Sequence, residues 1–328
     1  MIQNIILYIL ISFLLFFLSA KISYKFNLVD KPSKRKIHIK PTALTGGVAL
    51  SIIFLSSLEF FDVMNSNYNM ILTIGFLIAL IGFIDDIYNL NAGGKLSLQV
   101  IPIFYLIVFE KMYLTQLGNY DYFILNLGTF SIPFTLICVL YLINSFNYFD
   151  GLDGLLSFTT ISVIIILFFL SQNENIRLFL LTIIIPMFIF ILFNFSILKL
   201  PKLFLGDSGS LLIGFIISFI LIYLAISGLV HPILLAWSVS IFVYEFLSIN
   251  LIRLKKNKKL FKAGQDHLHY LLLKKNNSIL LSDFSISLSN IIMFLIGYIA
   301  FHYISPVVSL FLFLCIFVVY HNLRLKFL

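Results

Sequence analysis

Apolar stretches of roughly 15 to 22 residues recur along the whole chain, each close to the ~20 that carry a helix across a hydrocarbon core. A bilayer offers no water to unsatisfied backbone N–H and C=O groups, so each stretch must close its hydrogen bonds internally. The runs cover about 2–20, 44–61, 70–84, 96–109, 129–146, 155–171, 178–195, 210–227, 233–252, 284–303 and 307–320. They imply an all-α fold: a polytopic integral membrane protein of about 11 transmembrane helices, with a single membrane-embedded domain over 1–328. Only 11% of residues are charged, where soluble domains carry about a quarter, and the mean hydropathy is +1.07, which excludes a soluble globular protein. The first run has no charge ahead of it and no small-residue cleavage pattern, so it reads as a retained span. Cys138 and Cys315 lie inside apolar runs and read as packing residues, not as a disulfide or zinc pair.

Charge orders these spans. With the N-terminus outside, the cytoplasmic segments are about 21–43, 85–95, 147–154, 196–209, 253–283 and the tail from His321. They hold 20 of the 22 Lys and Arg residues, leaving Lys111 and Arg177 outside. An inside excess of this size sets the N-terminus outside and the C-terminus in the cytoplasm. It also accounts for the net charge of +8 and for the run Arg253, Lys255, Lys256, Lys258, Lys259 and Lys262 without nucleic acid as a partner. Attraction to anionic lipid headgroups is the further role such a run supports.

With the sides assigned, Asp85, Asp86, Asp150, Asp153, Asp207 and Asp266 all fall at cytoplasmic helix ends or loops, as do His38, His267 and His269. That points to one shared aqueous site on the inner face. A transporter or lipid flippase would carry ionisable groups near the midplane, and here only Glu245 lies well within a span. A non-catalytic scaffold would need none of these acids.

Four motifs carry chemistry. Asp85 and Asp86 are adjacent carboxylates at a water–lipid boundary, each raising the other's pKa unless a cation or lysine such as Lys95 neutralises them, so one is a candidate general base. Asn144 to Gly154 presents Asp150 and Asp153 three apart, on one face of any helical turn, with Gly151 and Gly154 permitting close approach. A polar inter-span loop is the plainer alternative. Gly206-Asp207-Ser208-Gly209-Ser210 precedes the eighth run, placing Asp207 at a helix start whose N–H groups suit phosphate and whose carboxylate suits a hard divalent cation; a simple cap is the alternative. His267 and His269 can face one ligand from an extended segment but point apart on a helix. Zinc would need further ligands, which makes donation to a diphosphate the better use.

Taken in order, these motifs resemble those of the polyprenyl-phosphate N-acetylhexosamine-1-phosphate transferases, of glycosyltransferase family 4. The resemblance runs from Asp30-Lys-Pro-Ser-Lys-Arg-Lys-Ile-His38 with Pro41 and Gly46-Gly47, through Asp85-Asp86 with Lys95 and Gln99, and Asn147-Tyr-Phe-Asp150-Gly-Leu-Asp153-Gly. It continues in Lys202-Leu-Phe-Leu-Gly-Asp207-Ser-Gly-Ser and ends at His267-Leu-His269. It departs at Gly264, where an acid is common, at Glu245, where Asp is more usual, and in a longer spacing from Asn194 to Lys202. The His cluster before a Phe-Glu ending that marks the related phospho-N-acetylmuramoyl-pentapeptide transferase of peptidoglycan synthesis, the alternative within the family, is absent.

The resemblance implies an enzyme of a bacterial inner membrane. Its implied reaction transfers a HexNAc-1-phosphate, GlcNAc-1-phosphate foremost, from a UDP-sugar to polyprenyl (undecaprenyl) phosphate and releases UMP. This would be the first membrane step of cell-surface glycan synthesis, with Mg²⁺ or Mn²⁺ as cofactor and the active site on the cytoplasmic face. By carry-over, Asp207 is the metal ligand and Asp85 and Asp86 are catalytic. Lys95, Asn147, Asp150, Asp153, Arg253, His267 and His269 bind the nucleotide sugar and its phosphates, and Lys36 and His38 the lipid phosphate. Expected partners are the UDP-sugar, the polyprenyl phosphate, the bilayer and a second copy of the chain in a homodimer.

Overall fold

Ten of the eleven apolar runs each coincide with one helix, and the run over 233–252 is split into two. A computed structural model describes residues 2–32, 40–61, 66–257, 264 and 266–326. In order the helices are α1 (Ile2–Lys25), α2 (Gly46–Phe60), α3 (Ser66–Tyr88), α4 (Ala92–Val108), α5 (Ser131–Tyr148), α6 (Leu155–Leu170), α7 (Glu174–Asn194), α8 (Gly206–Ile226), α9 (Pro232–Ser238), α10 (Ser240–Lys255), α11 (Leu268–Asn276), α12 (Ile279–Tyr303) and α13 (Pro306–Lys326). Seven are long and apolar enough to cross a membrane, or eight if α9 and α10, bent by 72°, form one span; α2, α4 and α6 are shorter apolar helices. The chain is an all-α polytopic membrane protein in its main architecture. The described residues add two small antiparallel pairs to that expectation, β1 (Val29–Asp30) with β2 (Thr42–Ala43) and β3 (Gln116–Asn119) with β4 (Ile124–Asn126).

Two expected loops are shorter than their composition implied. Asp85 and Asp86 lie in the last turn of α3 instead of opening a loop, because an acidic helix end meets partners across the bundle, described below. Within 253–283, α10 runs on to Lys255, α11 forms a helix of its own, and Asp283 belongs to α12. Cys138 and Cys315 are free thiols.

The centre is α8, 83% buried over its most apolar window, against 11% for α13. Small residues allow this. A Cβ added to Gly47 would stand 2.0 Å from the Gly209 nitrogen, and one added to Gly82 2.5 Å from the Asp207 carbonyl oxygen. Helices α2 and α3 therefore meet the start of α8 backbone to backbone, the close approach that small residues permit between membrane helices. The segment before α8 is tied to the same place: Phe204 N–H donates to the Ala43 carbonyl at 2.8 Å, while Gly46 and Gly47 N–H donate to the Phe204 and Leu205 carbonyls at 3.0 Å each.

The bend between α9 and α10 has its cause on α12. Asn290, fully buried, donates to the Ser238 carbonyl at 2.9 Å and accepts from Ile241 N–H at 3.3 Å, satisfying backbone groups that the break frees. Without those bonds, polar backbone inside a bilayer would cost several kcal/mol per group, roughly.

Candidate active site

The glycine contacts bring the end of α3 against the start of α8, and the carboxylates follow. Asp86 accepts N–H bonds from Asp207 at 2.8 Å and from Ser208 at 3.1 Å. It thereby caps α8, where a carboxylate is favoured by the helix dipole and the free N–H groups. The N–H groups expected to receive phosphate are taken by this side chain. Asp207 points to the other side of the same turn. Its Oδ1 accepts from Asn147 Nδ2 at 2.7 Å, an amide that also reaches Ser210 Oγ at 2.8 Å. Its Oδ2 lies 2.5 Å from Lys95 Nζ, which is also 2.8 Å from Asp85 Oδ2. Asp85 Oδ1 accepts from Leu90 N–H at 2.7 Å. Thus Asp85, Asp86, Lys95, Asn147 and Asp207, predicted from four separate stretches, form one cluster where α3, α4, α5 and α8 meet.

Asp150 and Asp153 follow α5 in the same turn region, but they do different things. Asp153 pairs with Lys202 at 2.5 Å. Among the described residues Asp150 has no such cation, and burial, with the charges of Asp207 and Asp86 adding to it, pushes its carboxyl well above the usual range. The Asn147–Gly154 turn is anchored by Asn194, whose Oδ1 accepts from Gly154 N–H at 2.6 Å and whose Nδ2 donates to the Leu203 carbonyl at 3.0 Å. Asn194 thus bridges two site segments despite its longer spacing to Lys202.

The oxygen-only character of the acid cluster suits Mg²⁺ or Mn²⁺, which bind through one or two carboxylates together with substrate phosphates. Among the described residues no three His, Cys, Asp or Glu side chains form a ready metal cage. The ammonium of Lys95 holds the position between Asp85 and Asp207, showing that the two carboxylates share a seat for positive charge.

A second cluster carries the histidines. His267 caps the N-terminus of α11 in extended conformation and His269 is the second residue of that helix, so their rings stand parallel, 1° apart in plane, with centroids 5.5 Å apart. The i, i+2 spacing points apart only on a continuous helix; here the helix starts between the two rings. Both are buried, and burial lowers both pKa values, furthest for His269, which leaves neutral imidazoles. Among the described residues His267 Nδ1 and His269 Nε2 have no hydrogen-bond partner. The latter atom would lie 2.3 Å from a Cβ at Gly151, so the absence of a side chain there lets the histidine loop close on the Asn147–Gly154 turn.

Arg253 is 2% exposed and forms a two-bond pair with Asp266, Nη2 to Oδ1 at 2.8 Å and Nε to Oδ2 at 3.2 Å. Burial pushes the Asp266 carboxyl up, but the guanidinium outweighs it and holds the group below the ordinary range. A Cβ at Gly264 would lie 2.4 Å from Asp266 Oδ1, so Asp266 occupies the space that an acid at 264 would need. Glu245, 1% exposed, turns from the acid cluster to Arg324, its Oε2 accepting from Arg324 Nε at 2.8 Å. Lys36 and His38 lie outside the described residues.

The sequence alone assigned no individual role to Ser210 or Lys202, though both stand in the quoted motif, and it did not single out Arg324. The first two had no signal beyond proximity in the motif. Arg324, by contrast, could have been found: a buried acid within a span demands a counter-charge, and the segments facing α10 hold few.

The model of the family described as glycosyl transferase family 4 matches residues 68–225, which contain the whole acid cluster. The chain is also similar over nearly its full length to proteins named undecaprenyl-phosphate alpha-N-acetylglucosaminyl 1-phosphate transferase. The protein of Escherichia coli K12 is 29% identical over 320 residues, 94% of this chain and 86% of that one. That of Yersinia pestis is 29% identical over 324 residues, 95% and 88% of the two chains. A Bacillus subtilis protein, named probable undecaprenyl-phosphate N-acetylglucosaminyl 1-phosphate transferase, is 28% identical over 296 residues, 85% and 77%. With its acids gathered inside the matched segment, the chain is similar to glycosyl transferase family 4 over residues 68–225 and to these transferases over nearly its full length.

Proposed function

We propose that the protein transfers GlcNAc-1-phosphate from UDP-GlcNAc to undecaprenyl phosphate and releases UMP. The observation that carries this is the convergence of Asp85, Lys95, Asn147 and Asp207 within the family-matched segment of a chain whose similar proteins bear that activity in their names. Two anionic substrates must meet, so positive charge and positioning supply most of the catalysis. Mg²⁺ or Mn²⁺, held by Asp207 with Asp85, would neutralise phosphate charge when bound. Lys95, which lies beside both carboxylates, would meet the phosphate oxygens of the substrate.

Asp85 is the member of the acidic pair that orients or deprotonates the lipid phosphate, because Asp86 is committed to the N–H groups of α8 and acts by setting Asp207. Asn147, Asp150 and Asp153 line the nucleotide-sugar pocket. The neutral rings of His267 and His269 donate to the diphosphate, and Arg253 supports them through Asp266 and their shared loop.

The same reading takes each apolar helical segment as a span, with α9 and α10 as one, in a single domain. It gives eleven spans, the N-terminus outside and the cluster on the cytoplasmic face of a bacterial plasma membrane. The 20 of 22 basic residues on that side support it. Purified protein in detergent, given undecaprenyl phosphate and Mg²⁺, should release UMP from UDP-GlcNAc. Failure to release UMP from any member of a UDP-sugar panel sinks the proposal, and the mass of the lipid product identifies the sugar.

A further inference from the structure

Arg324 sits in the last turn of α13, a helix otherwise open to its surroundings, yet it is 2% exposed. Its Nε donates to Glu245 Oε2 at 2.8 Å, and its Nη2 to Glu245 Oε1 at 2.8 Å and to the Asp266 carbonyl at 2.7 Å. The Tyr320 hydroxyl, one turn earlier, donates to Glu245 Oε2 at 2.7 Å. Glu245 Oε1 in turn accepts the Leu268 N–H at 2.8 Å. Leu268 lies between the two histidines and Asp266 directly before the first. Two lines of contact therefore run from one guanidinium to the backbone on either side of His267.

A buried ion pair is a weak source of stability, since desolvation offsets most of its attraction; its attested use is to fix one arrangement among several. Here the arrangement is that of a turn in which the helix must start between two rings for them to stand parallel. An N-terminal carboxylate partner for Leu268 N–H defines that start. Without it, the first turn of α11 can slip, and the i, i+2 pair loses its common direction.

We propose that Arg324 is a positioning residue for the histidine loop, acting through the Glu245 carboxylate and the Asp266 carbonyl. For its effect on catalysis this rests on the reading that His267 and His269 meet the diphosphate of the nucleotide sugar.

The test uses the full chain in detergent, comparing the parent with Arg324→Met, Arg324→Lys and Tyr320→Phe. Amide hydrogen exchange over 266–276 is followed beside separate KM values for UDP-GlcNAc and undecaprenyl phosphate. Arg324→Met should speed exchange at the start of α11 and raise the UDP-GlcNAc KM on the order of tenfold, with the lipid-phosphate KM within about twofold of the parent. Arg324→Lys, which keeps charge and a donor, should recover part of both.

Loss of kcat with both KM values unchanged, and faster exchange spread over α12 and α13, overturns the proposal in favour of a structural role. Because Arg324→Met strands a buried carboxylate and can cost the fold, Tyr320→Phe supplies a milder probe of the same carboxylate. It should shift the UDP-GlcNAc KM in the same direction by about twofold, and no shift counts against the proposal. Exchange needs no turnover: loosened α11 in a protein that transfers nothing would condemn the transferase reading alone, whereas an active enzyme whose α11 ignores Arg324 would condemn the positioning alone.

Discussion

The two polar clusters are built on opposite electrostatic plans. Around α8, among the described residues, the carboxylates of Asp85, Asp86, Asp150 and Asp207 face one lysine, Lys95. Around α11, Glu245 and Asp266 are matched by Arg324 and Arg253, each through at least two hydrogen bonds, and the adjacent histidines are neutral. On the function proposed above, the first cluster is the one that would take up protons or cations, and the second would hold the histidine loop in place. On that reading the unbalanced cluster would hold the reacting phosphates, and the balanced one would set the histidine loop that meets them.

That division can be broken at several points. Asp207→Asn should lower UMP release by about a thousandfold or more while the protein keeps its elution profile, since the amide keeps the shape of the side chain and an acceptor for Asn147; full activity in this variant would erase the distinction. Gly82→Ala comes next. Its new Cβ, 2.5 Å from the Asp207 carbonyl, forces α3 from α8 and should cost roughly a hundredfold in turnover with about 1–3 kcal/mol of stability from overpacking. In the balanced cluster the order of effects reverses. Asp266→Asn should appear first as a stability loss of about 2 kcal/mol in thermal unfolding, with activity per folded molecule falling less than tenfold.

A smaller effect separates Asp150 by pH. Its folded pKa is raised, so its stabilising contribution is complete below the unfolded value near ~3.9 and is lost as pH rises through the folded one. Asp150→Asn should therefore raise the apparent Tm of ligand-free protein at about pH 8 and leave it little changed at about pH 4, and an equal shift at both would refute the unbalanced charge. Smallest of all, Lys202→Met removes a partly exposed pair with Asp153 and should cost no more than ~1 kcal/mol by thermal unfolding.

Much of this was written in the chain locally, and the remainder was not. Apolar runs located the long helices of the bundle because burial of an apolar segment acts on each segment alone. Asp85, Asn147 and Asp207 were legible as one site because each closes or opens a helix, and helix ends on one side of a bundle meet. The break at Val239 was invisible because its remedy, Asn290, stands about fifty residues away on another helix. The parallel histidines were misjudged for a related reason: where α11 begins is decided by Glu245, not by Gly264 to His269. Asp283 reads as a loop residue but is fully buried in α12, with neither carboxyl oxygen partnered among the described residues.

The Glu245–Arg324 bond also has a consequence in time. A ribosome delivers Glu245 into the growing chain 79 residues before Arg324, so for several seconds at ~5–20 residues per second α10 carries a carboxylate whose partner does not yet exist. Its insertion during that interval must proceed with the acid protonated or held at the interface, and the loop of His267 and His269 takes its final shape only when α13 arrives. The arrangement of the histidine loop is thus tied to the synthesis of α13, and a nascent protein halted before that helix would hold its acids without its frame.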